Sequence, residues 1–385
     1  MGLCLVISAW SLSEPVAPAA SPPTTPAAQP PALASSGADG LSAQLAGLGV
    51  AAADADAAMS AFNVAFYVES KGAGLFRATT TASTWPPFWR SAELIEMVED
   101  AYQRSGRPVY RRMVRELRRG VLARFGTNWT GHRKYNDDVM WMVLAFLRGY
   151  EITGDTAFRD VAQRNFDAAF ARGWSDDFGG GLWWTTDRQE KNACVAGPAA
   201  IAARHLYRAL GNASYLVKAR RLYSWLRQHL FDATTGAVYD NVSRGEDGSD
   251  RVDRAVYTYN QGTFIGAADL LYRTTNASTY YDDAQRALEF AKTDLTVDGV
   301  LREEGVGRDG GGFKGIFARY AVEFVRHHRI TSHGSWFALN ARDAWSHRDA
   351  RGLMGQDWSS ATSSGKLHAF DCSSAVVLLQ QLRQP

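Results

Sequence analysis

Two adjacent aspartates, Asp137 and Asp138, stand directly before a strongly apolar stretch in the segment KYNDDVMWMVLAF (134–146). Neighbouring carboxylates repel each other, and burial penalises the ionised form of each. Acidic residues here could simply cap a helix, because they satisfy free N–H groups at its start. They could instead act as nucleophile and general acid/base in a retaining glycosidase, which needs two carboxyl groups about 5–5.5 Å apart. Adjacent residues at a helix start can supply that spacing.

Further residues suited to sugar recognition precede other apolar segments. Aromatic rings offer flat faces to sugar rings, and amide or amine groups can bind hydroxyls. A single tryptophan more often belongs to a core, so the prediction rests on shared placement. Trp141, one turn after the acid pair, could help to exclude water. The candidate binding residues are Trp89, Tyr135, Asn136, Trp183, Trp184, Lys191, Asn192, Tyr259, Asn260, Gln261, Phe313 and Lys314.

The periodicity after residue 41 is helical, and amphipathic segments alternate with segments that are apolar on nearly every face. An amphipathic helix covers a core with one face, whereas an all-round apolar helix must be enclosed. We predict outer helices over roughly 42–67, 107–125, 155–171, 213–230, 278–294 and 332–347. We predict inner helices over roughly 88–104, 136–150, 196–210, 260–273, 313–328 and 368–383. This pattern predicts an all-α fold, an (α/α)6 toroid of six inner and six outer helices.

The connections between these segments are asymmetric. A weakly repeated short turn, ITGDTAF (152–158), ALGNASY (209–215) and RTTNAST (273–279), joins inner to outer segments. The joints from outer to inner segments are long and carry most of the candidate binding residues. All the long joints of a toroid share one rim, and binding residues concentrate on loops held by a rigid scaffold. We therefore expect the functional site on that rim.

The composition excludes several classes of protein. The chain has 385 residues, is 46% hydrophobic and carries a net charge of +2 with scattered cations, which does not suggest a nucleic-acid partner. The sequence lacks the long apolar run of a membrane span. Residues 1–40 are rich in Pro and Ala and predict a disordered tether, in which we see the remnant of an export signal. Residues 41–385 then form the catalytic domain, which we expect to be monomeric.

The three cysteines do not show the spacing of a metal site. A disulfide between Cys194 and Cys372 stays open as an alternative. The pair His327-His328 closes a helical segment, where a positive charge suits the helix dipole, so we assign it a structural role.

Five stretches together resemble glycoside hydrolase family 76, the α-1,6-mannanases and their fungal cell-wall relatives. They are FWRSAELIE (88–96), YNDDVMW (135–141), GGGLWWTTDRQEKNACVAGPAAIAARHLY (179–207), YTYNQGTFIGA (257–267) and GGFKGIFARY (311–320). The resemblance implies an (α/α)6 barrel and retaining endo-cleavage of α-1,6-mannosidic linkages in an α-mannan substrate, with no metal or other cofactor. It places the nucleophile at Asp137 and the general acid/base at Asp138. It also implies a secreted or cell-surface enzyme.

Several other functions remain open. The same site could run transglycosylation, and a mannan-binding protein without catalysis is a further alternative. A sugar epimerase would use paired histidines, but the rim offers only His132 and His368 without an obvious pairing. A Mg²⁺ motif of terpene-cyclase type would need a third carboxylate where Trp141 stands. The loop EDGSD (246–250) could hold Ca²⁺, although a solvated acidic loop explains it better.

Overall fold

Twelve α-helices make up most of residues 51–305 and 309–382, which the computed structural model describes. The outer helices are α1 (Ala52–Phe66), α3 (Pro108–Phe125), α5 (Thr156–Gly173), α7 (Ala213–His229), α9 (Ser278–Asp294) and α11 (Gly334–Ser346). The inner helices are α2 (Phe88–Ser105), α4 (Asn136–Thr153), α6 (Ala193–Leu210), α8 (Thr258–Thr275), α10 (Phe313–His327) and α12 (Ala369–Gln381). The predicted tether, residues 1–40, and the predicted helix start at 42–50 lie outside the described residues.

The inner helices form a closed ring. Each packs against the inner helix before and after it, and α12 packs against α2. Helices α3, α5, α7 and α9 each cover the inner helix that precedes them, while α1 and α11 both pack on α12. Along α4 every residue from Val139 to Gly149 is buried, as enclosure inside an outer layer requires. The predicted (α/α)6 toroid is confirmed.

The repeated short turns have a common cause in the helix ends. Four inner helices, α2, α4, α6 and α8, stop at a residue in the left-handed conformation. At Gly154 (φ 71°) and Gly211 (φ 68°), glycine lacks the steric penalty of a side chain. In the first two of the repeated turns the next outer helix then starts with a capping side chain. Asp155 accepts from the backbone N–H of Ala157 at 3.0 Å, and Asn212 caps α7 in the same way.

Within the part of the chain that the structure describes, seven short β-strands, which the sequence patterns did not predict, lie in the long joints of the toroid. Two hairpins are formed by β1 (Tyr67–Ser70) with β2 (Ala73–Phe76) and by β6 (Thr296–Val297) with β7 (Val300–Leu301). An antiparallel three-stranded sheet contains β3 (Glu190–Asn192), β4 (Tyr239–Arg244) and β5 (Asp250–Val256). In this sheet Asn192 pairs with Asn241, which pairs with Asp253. The sheet thus ties together the joints that precede α6 and α8.

The structure answers the questions about the two cysteines, the histidine pair and a membrane-spanning helix. Cys194 and Cys372 are both free and buried, so they do not form a disulfide. His327 and His328 both hydrogen-bond to Asp269, at 2.8 and 2.7 Å, which agrees with a structural role. Within residues 51–305 and 309–382, none of the helices combines the length and apolar character needed to cross a membrane.

A buried charge cluster joins three inner helices inside the ring. Arg148 of α4 donates to Glu96 Oε2 at 2.7 Å and also to Asp100, both on α2. Arg319 of α10 donates to Asp100 Oδ2 at 2.9 Å and to Glu93 Oε2 at 2.7 Å. The five side chains are at most 7% exposed. Removing one partner of such a pair strands a buried charge, so the cluster holds α2, α4 and α10 in register.

The cluster contains more carboxyl groups than guanidinium groups. Protonation of some carboxyl groups offsets part of this excess negative charge. Glu99 of α2 is a sixth member, with Oε2 3.9 Å from Arg148 Nε, and neither of its carboxyl oxygens accepts a hydrogen bond from the described residues. Burial raises the pKa of Glu99 well above its usual range, and burial also raises the pKa of Glu93 to about 7 despite the neighbouring Arg319. In Asp100, by contrast, Arg148 and Arg319 outweigh burial and lower the pKa. Burial therefore favours the protonated form of Glu99.

We predict opposite effects from two substitutions in this cluster, measured by urea unfolding. Arg148→Met should lower the free energy of unfolding by about 3–5 kcal/mol, because it strands buried carboxylates. Glu99→Gln should raise it at pH 8 by about 1–3 kcal/mol and much less at pH 5. The reason is that folded Glu99 retains a proton which the unfolded chain releases, so wild-type stability falls as pH rises. Equal losses from both variants would show that the cluster is held by packing alone.

Candidate active site

A cleft opens at the end of the toroid where the inner helices begin. Its volume is about 520 Å³, and its walls come from the first turns of inner helices and from the long joints before them. The lining residues are Pro87, Trp89, Arg90, Tyr135, Asp137, Asp138, Trp141, Trp184, Glu190, Asn192, Cys194, Asp240, Tyr259, Asp309 and Phe313. The rim that the asymmetric connections predicted is thus the part of the molecule that carries this cleft.

Asp137 is the more firmly held member of the acid pair. Its Oδ2 accepts from the indole Nε1 of Trp184 at 2.9 Å and from Cys194 Sγ at 3.5 Å. Its Oδ1 accepts from the backbone N–H of Asp138 at 2.8 Å. Burial raises the pKa of Asp137 to about 6, while these three donors oppose a larger rise. The donors favour the ionised carboxylate that a nucleophile requires.

Asp138 has a different environment. Among the described residues, none donates a hydrogen bond to its carboxyl group, whose main charged neighbours are Asp137, Arg133 and Asp309. Burial and then the charge of Asp137 raise the pKa of Asp138 to about 7. A carboxyl group in this state keeps its proton near neutrality and can donate it, as general acids of glycosidases do.

The capping interpretation accounts poorly for this pair. The residue at the N-cap of α4 is Tyr135, which makes no side-chain capping bond. The Asp137 carboxylate does accept one backbone N–H, but that of Asp138 reaches none among the described residues. Both carboxylates do lie in the first turn, where the helix dipole favours negative charge. The dipole thus favours the charged forms, but burial outweighs it and raises both pKa values.

Aromatic rings form a continuous wall beside the two carboxyl groups. The Tyr259 and Phe313 rings stack with centroids 3.8 Å apart and planes at 11°. Trp141 lies 6.3 Å from Tyr259 and 6.2 Å from Trp89, measured between ring centroids. Each of these residues lies in the first two turns of an inner helix. The wall removes water from the carboxyl groups and presents flat apolar faces to a ligand.

The sequence patterns missed three further carboxylates of the cleft, Glu190, Asp240 and Asp309. Asp240 accepts from the side-chain amides of Asn260 at 3.1 Å and Asn241 at 3.2 Å. Asp309 accepts from Trp89 and forms an ion pair at 2.9 Å with Arg90. Asp240 and Glu190 lie on strands that the helical pattern could not reveal. The sequence shows that these acidic residues lie in long joints, but it does not show that they line the same cleft as Asp137.

Six of the candidate binding residues do not line the cleft: Asn136, Trp183, Lys191, Asn260, Gln261 and Lys314. The two lysines are fully buried and bind carbonyl groups of the protein. Lys191 Nζ donates to the carbonyls of Ser175, Asp177 and Gly180 at 2.6–2.9 Å. Lys314 Nζ donates to Leu301 O at 3.2 Å. Both ammonium groups hold loops in place, so the expectation that they contact hydroxyls of a ligand is corrected.

The other four residues also serve the protein itself. Asn136 donates to Trp183 O at 2.8 Å and accepts from Arg172 at 2.7 Å. With its amide turned to satisfy both partners, Gln261 bridges the backbone of the joint at 236–238. Asn260 holds Asp240, and the buried Trp183 ring packs 4.7 Å from the Lys191 ammonium. These residues position the cleft without facing it.

Comparison with known proteins decides the family. The sequence pattern of Glycosyl hydrolase family 76 matches residues 51–384. The chain belongs to glycosyl hydrolase family 76. This family member is similar in structure to the GH76A alpha-1,6-mannanase from Salegentibacter sp. HEL1_6, with 31% identity and a TM-score of 0.78, over 86% of this chain and 98% of that one. An inactive variant of that mannanase, with two consecutive aspartates changed to asparagine, is in complex with alpha-1,6-mannotriose.

Curated relatives of this family 76 chain are fungal. It is 30% identical over 173 residues to the mannan endo-1,6-alpha-mannosidase DCW1 of Candida glabrata, and 28% identical over the same length to that of Saccharomyces cerevisiae. Each match covers 42% of this chain and 38% of the relative. The matched region therefore spans about two-fifths of the length of these curated proteins.

The alternative functions find little support in the site. The cleft lining contains no histidine among the described residues, so His132 and His368 do not form the pair that an epimerase would need. The loop 246–250 is the turn between β4 and β5, in which Asp247 accepts from Ser249 and Asp250 pairs with Arg244. Two of its three acidic side chains, Asp247 and Asp250, are thus occupied by their own hairpin.

We predict that Asp138→Asn stabilises the protein at pH 8, by about 1–2 kcal/mol after allowance for partial solvent exposure. The folded state disfavours ionised Asp138, and wild-type stability is lost as pH rises from the ordinary pKa of aspartate towards 7. The gain should therefore vanish near pH 4, as followed by thermal unfolding at both pH values.

Asp155→Ala provides the matched control, because Asp155 caps α5 and its removal should cost about 1 kcal/mol at pH 8. If Asp138→Asn destabilised the protein at pH 8, ionised Asp138 would stabilise the folded state, and the raised pKa of this group would be wrong.

Proposed function

We propose that the protein is an endo-acting glycosidase that cleaves α-1,6-mannosidic linkages in mannan with retention of configuration. The observation that carries this proposal is the unequal environment of two adjacent carboxyl groups in the cleft. Asp137 has three donors that favour its ionised form, whereas Asp138 has none among the described residues and a higher pKa. Two carboxyl groups with pKa values pushed apart are the pattern of a nucleophile and a general acid.

The catalytic sequence follows from these roles. The Asp137 carboxylate bonds to the anomeric carbon while the bond to the glycosidic oxygen breaks, and that oxygen takes the proton of Asp138. Asp138, now ionised, removes a proton from water, whose oxygen bonds to the anomeric carbon as the ester to Asp137 breaks. The aromatic wall of Trp141, Tyr259 and Phe313 keeps the surroundings poor in water during both steps.

The sugar and the linkage rest on similarity. The Salegentibacter relative is an alpha-1,6-mannanase, and the fungal relatives are mannan endo-1,6-alpha-mannosidases. The cleft offers suitable partners for a mannose ring. Trp89, Tyr135 and Trp184 supply faces, and the buried Asn192 Oδ1, without a partner among the described residues, can accept from a hydroxyl. A polymeric substrate of this kind also favours secretion or a place on the cell surface.

The first test is incubation of purified protein with linear α-1,6-mannan, followed by chromatography of the products. Wild type should release short mannooligosaccharides. Asp137→Asn should lower the rate at least about 10³-fold, and Asp138→Asn about 10²–10⁴-fold. Lys191→Met, which alters a buried loop contact, should affect stability more than KM. Products longer than the starting chains would assign transglycosylation instead, and inactivity of folded wild type would reject the proposal.

The pH dependence of kcat/KM provides a second test. Activity should rise as Asp137 ionises near pH 6 and fall as Asp138 loses its proton near pH 7, which gives a narrow bell with its maximum between these values. The two apparent pKa values belong to the coupled pair. With an aryl leaving group, which needs no protonation, Asp138→Asn should keep measurable activity and lose the alkaline limb. An unchanged bell in that variant would remove Asp138 from the acid role.

A further inference from the structure

The two oxygens of Asp137 are not equivalent. Oδ2 accepts two hydrogen bonds, from Trp184 Nε1 at 2.9 Å and Cys194 Sγ at 3.5 Å. Oδ1 accepts one, from the Asp138 backbone N–H at 2.8 Å. Each carboxylate oxygen has about two lone-pair directions. Oδ2 is therefore fully engaged by the protein, whereas Oδ1 keeps one lone pair for another partner.

Both donors to Oδ2 are themselves fixed. The backbone of Trp184 bonds to Asn136 N at 2.7 Å and to Glu190 O at 2.9 Å, and its ring packs 5.0 Å from that of Tyr135. Cys194 lies in the first turn of α6, next to α4, and is 5% exposed.

The Cys194 sulfur has a second partner, because it also interacts with the hydroxyl of Tyr259 on α8. A line of contacts thus runs from Tyr259 through Cys194 to Asp137. It joins three successive inner helices.

We propose that Trp184 and Cys194 are positioning residues that hold Asp137 by Oδ2, so that Oδ1 is the oxygen that bonds to the anomeric carbon. This inference rests on the proposed function. In the first step an Oδ1 lone pair forms the C–O bond while the glycosidic C–O bond breaks and its oxygen leaves with the Asp138 proton. Oδ2 becomes the ester carbonyl oxygen and keeps its two donors. The second step reverses these changes with water.

Trapping of the covalent intermediate tests the atom assignment. A fluorinated α-1,6-mannobiosyl fluoride, which slows the second step, should form an ester through Oδ1 of Asp137, and a crystal structure of the adduct should show Oδ2 still bonded to Trp184. An ester through Oδ2 would overturn the inference. Failure of active, folded enzyme to form any adduct at Asp137 would instead overturn the retaining mechanism on which the inference rests.

A titration that needs no activity tests the positioning contacts separately. In protein labelled with ¹³C at the aspartate carboxyl carbon, the Asp137 signal is identified by its loss in Asp137→Asn. Trp184→Phe and Cys194→Ala should each raise the pKa of that signal, because each removes a donor to the ionised form. Cys194→Ser should return the Asp137 pKa part of the way to the wild-type value. Cys372→Ala, which changes a buried cysteine elsewhere, should leave the Asp137 pKa unchanged.

The kinetic expectation matches the titration. Trp184→Phe should lower kcat about tenfold and Cys194→Ala about threefold, with the acidic limb of the pH profile moved to higher pH in both. A pKa of Asp137 that neither substitution moves would show that these residues only pack beside it, and the positioning role would fall.

Discussion

Burial of two adjacent carboxyl groups at the start of α4 is the constraint to which the cleft is adapted. Asp137 and Asp138 lie between an aromatic wall and the first turns of neighbouring helices. That environment raises both pKa values, and only Asp137 gains donors that offset the rise. Asp137 is thus a carboxylate held by hydrogen bonds, whereas the Asp138 carboxyl group accepts none among the described residues. Unequal hydrogen bonding, rather than a difference of residue type, distinguishes the two groups and underlies the roles proposed for them.

Helix α4 connects this site to the centre of the toroid. Arg148 lies eleven residues after Asp137, about 16 Å along the helix. Its guanidinium group is bound to Glu96 and Asp100 of α2, and Arg319 of α10 shares Asp100. A rotation or shift of α4 would therefore break buried ion pairs. The cluster therefore fixes the position of α4, and with it the acid pair, relative to α2 and α10.

The same logic explains the buried lysines. Lys191 gathers three backbone carbonyls of the joint before α6, and this joint also carries Trp184, the donor to Asp137. Lys314 anchors the joint before α10, where Asp309 faces the cleft. Charged groups that do not touch the cleft thus determine where its lining residues stand.

Much of the fold could be predicted from the sequence because hydrophobic periodicity reports directly on enclosure. The inner helix predicted at 136–150 begins at Asn136 and ends at Thr153, and the predicted outer helix 213–230 ends at His229. The sheet β3–β5 escaped prediction, since its strands are short and rich in Asp, Asn and Arg, so register and long-range pairing define them.

The site was predictable only in part. Aromatic and acidic residues at helix starts were visible as a pattern, and Trp89, Tyr135, Trp184, Asn192, Tyr259 and Phe313 do line the cleft. Polar residues in the same joints could not be sorted, because a lysine that binds carbonyls and one that binds hydroxyls look alike in sequence. Lys191 was predicted to line the cleft and does not, whereas Asp240 lines the cleft and was not predicted.

The most direct measurement of the central claim is the anomeric configuration of the first product from linear α-1,6-mannan, followed by ¹H NMR before mutarotation. A nucleophilic Asp137 assisted by Asp138 requires that the α-anomer appears first and the β-anomer grows in later. Initial appearance of the β-anomer would mean single displacement by water, and it would contradict the assignment of Asp137 as nucleophile.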